Sequence, residues 1–179
     1  MNVIFLDFDG VLNTYHLSSD EDIEKRIKLL SKIVKKYDCK IVIEASCKRD
    51  IDEDTLEVDD DCKWIKYVMA LFKKYDIEVI GRTTNLKRRI SNYTYLDMWK
   101  DDEIRLYLFR HPEIEHYCII DDNDFHDLEQ SKDYLVQTKN FCDNYVEEGL
   151  LEKHDFEVKK ILSKENNIRK FAIKHKKSK

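Results

Sequence analysis

Four short apolar runs, separated by segments of helical periodicity, constrain the fold of this chain more than any other feature. Asn2–Leu6, Lys40–Ala45, Ile77–Ile80 and His116–Ile120 read as buried strands. Ser19 or Asp20 caps a helix predicted to run to about Lys36, with Ile23, Ile27, Leu30, Ile33 and Val34 at helical spacing. Cys62–Tyr75 reads as a second helix, with Ile65, Met69 and Phe72 on one face. Asp101–Arg110 reads as a third, with Ile104, Leu106, Leu108 and Phe109, stopping before Pro112. A short fifth strand at Tyr134–Gln137 and a last helix over Val146–Leu162 complete the pattern, while Ile51–Asp61 and Arg82–Tyr95 read as loops. Strands alternating with helices predict an α/β fold, a Rossmann-like three-layer sandwich with a mainly parallel sheet.

The strand ends carry the chemistry. The first strand runs into Asp7-Phe8-Asp9-Gly10. In extended chain, residues i and i+2 point the same way, so Asp7 and Asp9 project together beyond the carboxyl end, where open α/β sheets bind ligands. Two carboxylates about 4 Å apart repel by roughly 4 kcal/mol at an effective dielectric near 20. A cation between them, protonation of one, or screening by water relieves that cost, so the segment implies a metal site, an acid/base site, or both. The second strand ends near Glu44, Ser46 and Lys48, and the fourth in Asp121 and Asp122, with Asp124 close behind. These carboxylates fall on one sheet edge and suit a hard cation such as Mg²⁺. Lys100, at the start of the helix before the fourth strand, supplies positive charge together with the helix N-terminus. Carboxylates, a hard cation, a lysine and a helix N-terminus together point to phosphoryl transfer.

Composition narrows the classes. The 179 residues read as one domain, residues 1–163, followed by a basic tail, 164–179, with six lysines and one arginine against one glutamate. A net charge of −5 argues against binding nucleic acid through overall charge, but not through a local patch or the tail. Five cysteines without a CxxC pair imply reduced thiols and a cytoplasmic protein, with Cys47 lying nearest the proposed site. No secretory leader and no membrane span are expected.

The motifs resemble those of the haloacid dehalogenase (HAD) superfamily. Asp7-Phe8-Asp9-Gly10-Val11 matches its first motif, DxDG[TV]. Lys100 and Cys118-Ile119-Ile120-Asp121-Asp122 meet the spacing of its third and fourth. The segments DFDGVLN, GRT at 81–83, EIRLYLFRHPEI, YCIIDD and LVQT…EGL look similar to the HAD domain of Swiss Army knife RNA-repair proteins, over about 150 residues. The resemblance implies that Asp7 is a nucleophile forming an aspartyl-phosphate and that Asp9 is the general acid/base. It also implies that Asp7, the Asp9 carbonyl and Asp121 hold Mg²⁺, with Asp122 or Asp124 in support. Ser46, Lys100 and Gly10 would bind the phosphate. Where relatives end the second strand in a hydroxyl, this chain reads Glu44-Ala45-Ser46-Cys47-Lys48. Depending on register, Glu44 replaces the hydroxyl or Ser46 supplies it; the i+2 relation favours Ser46, with Lys48 or Arg49 available to pair with Glu44.

Three functions stay open at this point. The first is an Mg²⁺-dependent phosphatase without a large cap domain, acting on RNA or DNA ends. The second is a small-metabolite or nucleotide phosphatase. The third is a degenerate HAD fold, disabled by Glu44, that binds nucleic acid or protein. Arg82, Arg88 and Arg89 are candidate backbone contacts; Tyr93, Tyr95 and Trp99 are candidate stacking residues; and His16 is a candidate pocket wall.

Overall fold

In the computed structural model, which describes residues 1–89, 91, 95–123, 128 and 131–164, the first strand lies at the centre of a five-stranded sheet. The strands are β1 (Asn2–Leu6), β2 (Cys39–Ile43), β3 (Val79–Arg82), β6 (His116–Asp121) and β7 (Leu135–Gln137), in the order β3-β2-β1-β6-β7. Every pairing in this sheet is parallel, with Leu6 opposite Ile43 on one side and Ile120 on the other. Strands covered on both faces need apolar residues at every position, and Val3 to Leu6, Ile41 to Ile43 and Tyr117 to Ile120 are all fully buried. The family of architectures expected from the sequence is therefore the one found.

Helix α1 (Asp20–Tyr37) starts at a capping box, in which the Ser19 hydroxyl accepts from the Asp22 N–H and the Asp22 carboxylate accepts from the Ser19 N–H. Its face of Ile23, Ile27, Leu30, Ile33 and Val34 is buried as the spacing required. Helices α2 (Lys63–Lys74) and α4 (His154–Leu162) both touch α1. Helix α3 (Lys100–Arg110) lays Tyr107 edge-on against Phe5, ring centroids 5.7 Å apart. Right-handed crossovers account for this division. The chain steps from β1 to β2 to β3 in one direction through α1 and α2. It returns through α3 to β6 on the far side of β1. The edge between β1 and its two neighbours is thus a topological switch point.

Four expectations shift. Residues 82–95 are not all loop. β3 runs to Arg82, two residues later than its apolar stretch, because Val42 and Ile43 pair with Gly81 and Arg82 after a register shift. Beyond it, β4 (Lys87–Arg89) and β5 (Tyr95–Asp97) form an antiparallel ribbon, Lys87 opposite Asp97. Three-residue strands of mostly polar residues carry no readable period. The last helix begins at His154, not Val146. Gly149 sits at φ 72°, where a Cβ would lie 2.4 Å from Nε of Arg26, and this breaks the helix. Finally, Phe109 of α3 is exposed, while Tyr107 takes the core position.

Among the described residues, the β4–β5 ribbon is the largest regular element inserted between a strand of the main sheet and the helix that follows it. All five cysteines are free thiols. Among the described residues, no helix is long and apolar enough to cross a membrane. Asp124, Tyr93 and the tail from 165 onward lie outside the described residues.

Candidate active site

The carboxyl end of β1 delivers Asp7 into a buried position between its neighbours. The Asp7 N–H donates to the Ile120 carbonyl at 3.0 Å, and the Glu44 N–H donates to the Leu6 carbonyl at 2.9 Å, so the ladders extend past the last strand residue on both sides. Oδ1 of Asp7 accepts from the Phe8 N–H at 2.7 Å, which fixes the carboxylate. Lys100, the first residue of α3, places Nζ 2.6 Å from Oδ2 of Asp7 and 2.6 Å from Oδ2 of Asp121. Burial alone would depress the Lys100 ammonium, but Asp7 and Asp121 overcome this and hold it charged.

One lysine faces more negative charge than it cancels. Oxygens of Asp7, Asp121 and Asp122 all lie within 4.8 Å of one another. Burial, reinforced by Asp121, pushes the Asp7 carboxyl up in spite of Lys100. Asp122 is raised by burial and by Asp121 as well. Asp121 is oriented by the Asn123 N–H, which donates to its Oδ1 at 2.8 Å. Asp122 reaches the cluster across Gly10. That residue sits at φ 72°, and a Cβ there would be 2.2 Å from Cγ of Asp122. Gly10, expected at the phosphate, therefore has a second role as the space Asp122 occupies. Three carboxylates with one compensating cation form an all-oxygen donor set, and the residues fit a hard divalent ion.

Asp9 stands apart from this trio. Its side chain is exposed, with Oδ1 accepting from Nδ2 of Asn13 at 2.9 Å and Oδ2 accepting from the Ser46 hydroxyl at 3.4 Å. Ser46 does arrive at the site, but not by strand alternation. β2 stops at Ile43, and Ser46 opens a short 3-10 turn, Ser46–Asp50, in which the Lys48 N–H donates to the Ala45 carbonyl at 3.0 Å.

Glu44 is fully buried and already partnered. Nζ of Lys48 lies 2.9 Å from its Oε1, and the Thr83 hydroxyl donates to its Oε2. Lys48 also pairs with Glu103 of α3, whose other oxygen accepts from the Leu86 N–H at 2.7 Å. Burial pushes Glu44 up to about 8, with Lys48 pulling it down and Glu103 adding to the rise. The pairing with Lys48 was expected. Glu103 and Thr83 were not singled out as site residues; they lie in the quoted segments EIRLYLFRHPEI and GRT, and Glu103 lies three residues after Lys100, on the same helix face.

The remaining candidates divide. Arg82 donates from Nε to the Ile51 carbonyl at 2.5 Å and from Nη1 to the Thr83 carbonyl at 3.0 Å, which makes it a clamp between two loops. The side chains of Arg88, Arg89 and Tyr95 lie outside the described residues, while Trp99 is exposed. Burial beside Asp9 and Asp7 pushes the Cys47 thiol up to about 12, so it stays protonated. His16 bonds through Nδ1 to Oε1 of Glu148 at 2.6 Å. Glu148 opens the EGL segment that the family resemblance includes, but its partnership with His16 had no sequence signal. Burial would raise it, but hydrogen bonds from His16, the Cys142 N–H and Thr14 outweigh that and hold it at about 2.

A family model, the HAD domain in Swiss Army Knife RNA repair proteins, matches residues 3–143. Neither the curated proteins nor the solved structures contain a significant match.

Proposed function

The chain belongs to the HAD superfamily, in the family of HAD domains of Swiss Army Knife RNA repair proteins, and from that membership and the site geometry we propose that it hydrolyses phosphate monoesters, with nucleic-acid ends as substrate. The observation that carries the reading is Lys100, held 2.6 Å from both Asp7 and Asp121 beside a third carboxylate. Such a site attracts a phosphoryl group only when a further cation balances it.

Asp7, Asp121 and Asp122 would hold Mg²⁺, which when bound neutralises charge on the phosphoryl oxygens. Asp7 is the nucleophile. Its carboxylate oxygen forms a bond to phosphorus as the bond to the leaving oxygen breaks, giving an aspartyl-phosphate. Asp9 donates a proton to that leaving oxygen. In the second half Asp9 takes a proton from water, the water oxygen attacks phosphorus, and Asp7 leaves as carboxylate. Lys100 and the Ser46 hydroxyl hold the phosphoryl oxygens. Glu44 does not oppose the incoming phosphate as a bare charge, because Lys48 and Thr83 engage both its oxygens. This favours a working site over a degenerate one. An edge whose largest regular insert among the described residues is the β4–β5 ribbon suits a polymer end better than a small metabolite, which a cap would enclose.

The test is turnover of an aryl phosphate with and without Mg²⁺. Asp7→Asn is expected to reduce turnover to background while the circular dichroism spectrum persists. Wild-type protein that turns over no phosphomonoester overturns the proposal. Rates on a mononucleotide set against 3′- and 5′-phosphorylated oligonucleotides decide the substrate.

A further inference from the structure

Large rings gather on two loops beside the carboxylate edge. Tyr15 is 73% exposed, Phe141 61% and Tyr145 53%. His16 lies among them, its ring stacked on Phe141 with centroids 5.3 Å apart and planes at 30°. Tyr15 meets Phe141 edge-on at 5.3 Å, and Tyr145 lies 6.2 Å from His16. Exposed apolar side chains ordinarily scatter singly, whereas a contiguous group of rigid rings marks a binding surface.

The group is fixed before anything binds. The His16 ring and the N–H groups of His16 and Cys142 all converge on the buried Glu148 carboxylate, at 2.6, 3.3 and 3.0 Å. The Tyr15 N–H donates to the Asn140 carbonyl at 3.1 Å, tying the two loops together. A surface ordered in advance loses little entropy on binding. It is also continuous with the active site, since one depression of about 490 Å³ runs from Asp122 through Thr138 and Lys139 to Phe141.

We propose that Tyr15, His16, Phe141 and Tyr145 form a stacking platform for the unpaired bases at the end of a single-stranded nucleic acid whose terminal phosphate lies at Asp7. The position of that phosphate rests on the phosphatase reading; the platform itself rests on the rings. Every base has a π-face, so stacking on aromatic side chains holds a strand without reading its sequence. A protein of net charge −5 gains little attraction for a polyanion from its overall field, and ring contacts supply what the field does not. Beyond Tyr145 the surface continues into a groove of about 570 Å³ where Lys25, Lys28 and Lys32 of α1 stand on one helix face. Lys28 also pairs with Glu24, and Asp22 and Glu152 share the groove, so Lys25 and Lys32 are the ammonium groups that suit the next backbone phosphates of a strand.

The probe is a short single-stranded oligonucleotide with 2-aminopurine at its terminus and no terminal phosphate, made once for each end and bound to the full chain. Without a phosphate there is nothing to hydrolyse, so binding is read independently of turnover. Fluorescence quenching is expected with at least one probe. Tyr15→Ala and Phe141→Ala should each weaken binding by about tenfold, the order of one base stack, and Phe141→Trp should retain it. Both side chains are exposed, so melting temperatures should match wild type. A strand with an abasic terminus, read as a competitor of the labelled probe, should show the same affinity for wild type and both alanine variants. No quenching with either probe, or an equal loss with the abasic strand, overturns the platform; the first of these results would assign the surface to a protein partner. Quenching without turnover of any phosphorylated strand sinks the phosphatase reading and leaves the platform standing.

Discussion

Lys48→Met removes the one cation between two buried carboxylates, and its cost follows from the site. Lys48 bonds Glu44 at 2.9 Å and also pairs with Glu103, with all three side chains buried. Deleting one partner of a buried ion pair costs about 3–5 kcal/mol, because the remaining charge has neither water nor a counter-ion. Proton uptake by Glu44 offers the escape. Its folded value, about 8, lies above the ordinary 4.5. The folded state therefore gains a proton that the unfolded chain lacks across that window. The associated stability is fully present below pH 4.5 and is lost as pH rises through 8. Glu44 is already protonated below pH 8 in the wild type, so the loss at pH 7 is that of leaving Glu103 without its cation, about 3–5 kcal/mol. Without Lys48 the Glu44 carboxyl rises further, so the loss should grow only above pH 8, by about 1.4 kcal/mol per pH unit. With a urea slope near ~2 kcal/mol/M, the unfolding midpoint should drop by about 1.5–2.5 M at pH 7 and by more at pH 9. Adding Glu103→Gln to Lys48→Met should recover about 1 kcal/mol or more by removing the stranded partner. Urea titrations by circular dichroism at both pH values measure all of this. A loss below about 1 kcal/mol at pH 7, or no growth of the loss above pH 8, refutes the buried-charge account.

Three further outcomes follow from other residues. Gly10→Ala forces a methyl into Asp122 at a left-handed backbone position, so Mg²⁺ affinity by calorimetry should fall about tenfold or more, and unchanged affinity would remove Asp122 from the ion site. Mg²⁺ at about 100 times its Kd should stabilise the fold by ~2.7 kcal/mol. At a fixed Mg²⁺ concentration the gain should be larger at pH 8 than at pH 5.5, because protons compete for the raised Asp7 and Asp122 carboxyls; the melting temperature with Mg²⁺ and with EDTA reads it. His154 is buried, Nδ1 accepts from the Leu151 N–H at 3.0 Å, and burial lowers its value from 6.5 to about 4. The unfolded chain binds the extra proton in that window, so stability is complete above pH 6.5 and falls by up to about 3 kcal/mol as pH drops through 4. His154→Gln should flatten that limb of the urea midpoint against pH; a limb of unchanged slope would place the acid sensitivity elsewhere.

The part of the site legible in the sequence is the part fixed by strand ends. Asp7 and Asp121 lie where a parallel sheet must deliver them, because register places Leu6 beside Ile120 and the next residues follow, and Lys100 joins them as the first residue of α3. The i+2 rule does not hold for Ser46, since a strand that ends at Ile43 cannot carry alternation two residues further: Glu44 is buried while Ser46 is exposed and bonds Asp9. Glu103 and Thr83 lie in segments of the family resemblance, but their role was unreadable because each gains its meaning from Lys48 or Glu44, far away in sequence. The aromatic platform was equally hidden. His16 stood out by its nearness to the first motif, but Phe141 and Tyr145 meet it only after β7 has docked and Gly149 has turned the chain back over α1. Periodicity reports an element's own faces and nothing about which loops become neighbours.

The central position of β1 also sets when the site can exist during synthesis. Its first motif emerges among the earliest residues, yet the Lys100–Asp7 bond spans 93 residues, the Thr138–Gly10 bond 128 and the His16–Glu148 bond 132. Closing loops of that length is slow, and none can close before the later partner leaves the ribosome. A nascent chain ending short of Glu148 holds Asp7 and Asp9 on a loop whose far anchors do not yet exist. The loop after β1 is therefore among the first segments made and among the last to be fully anchored, because its partners at Thr138 and Glu148 come late in the chain.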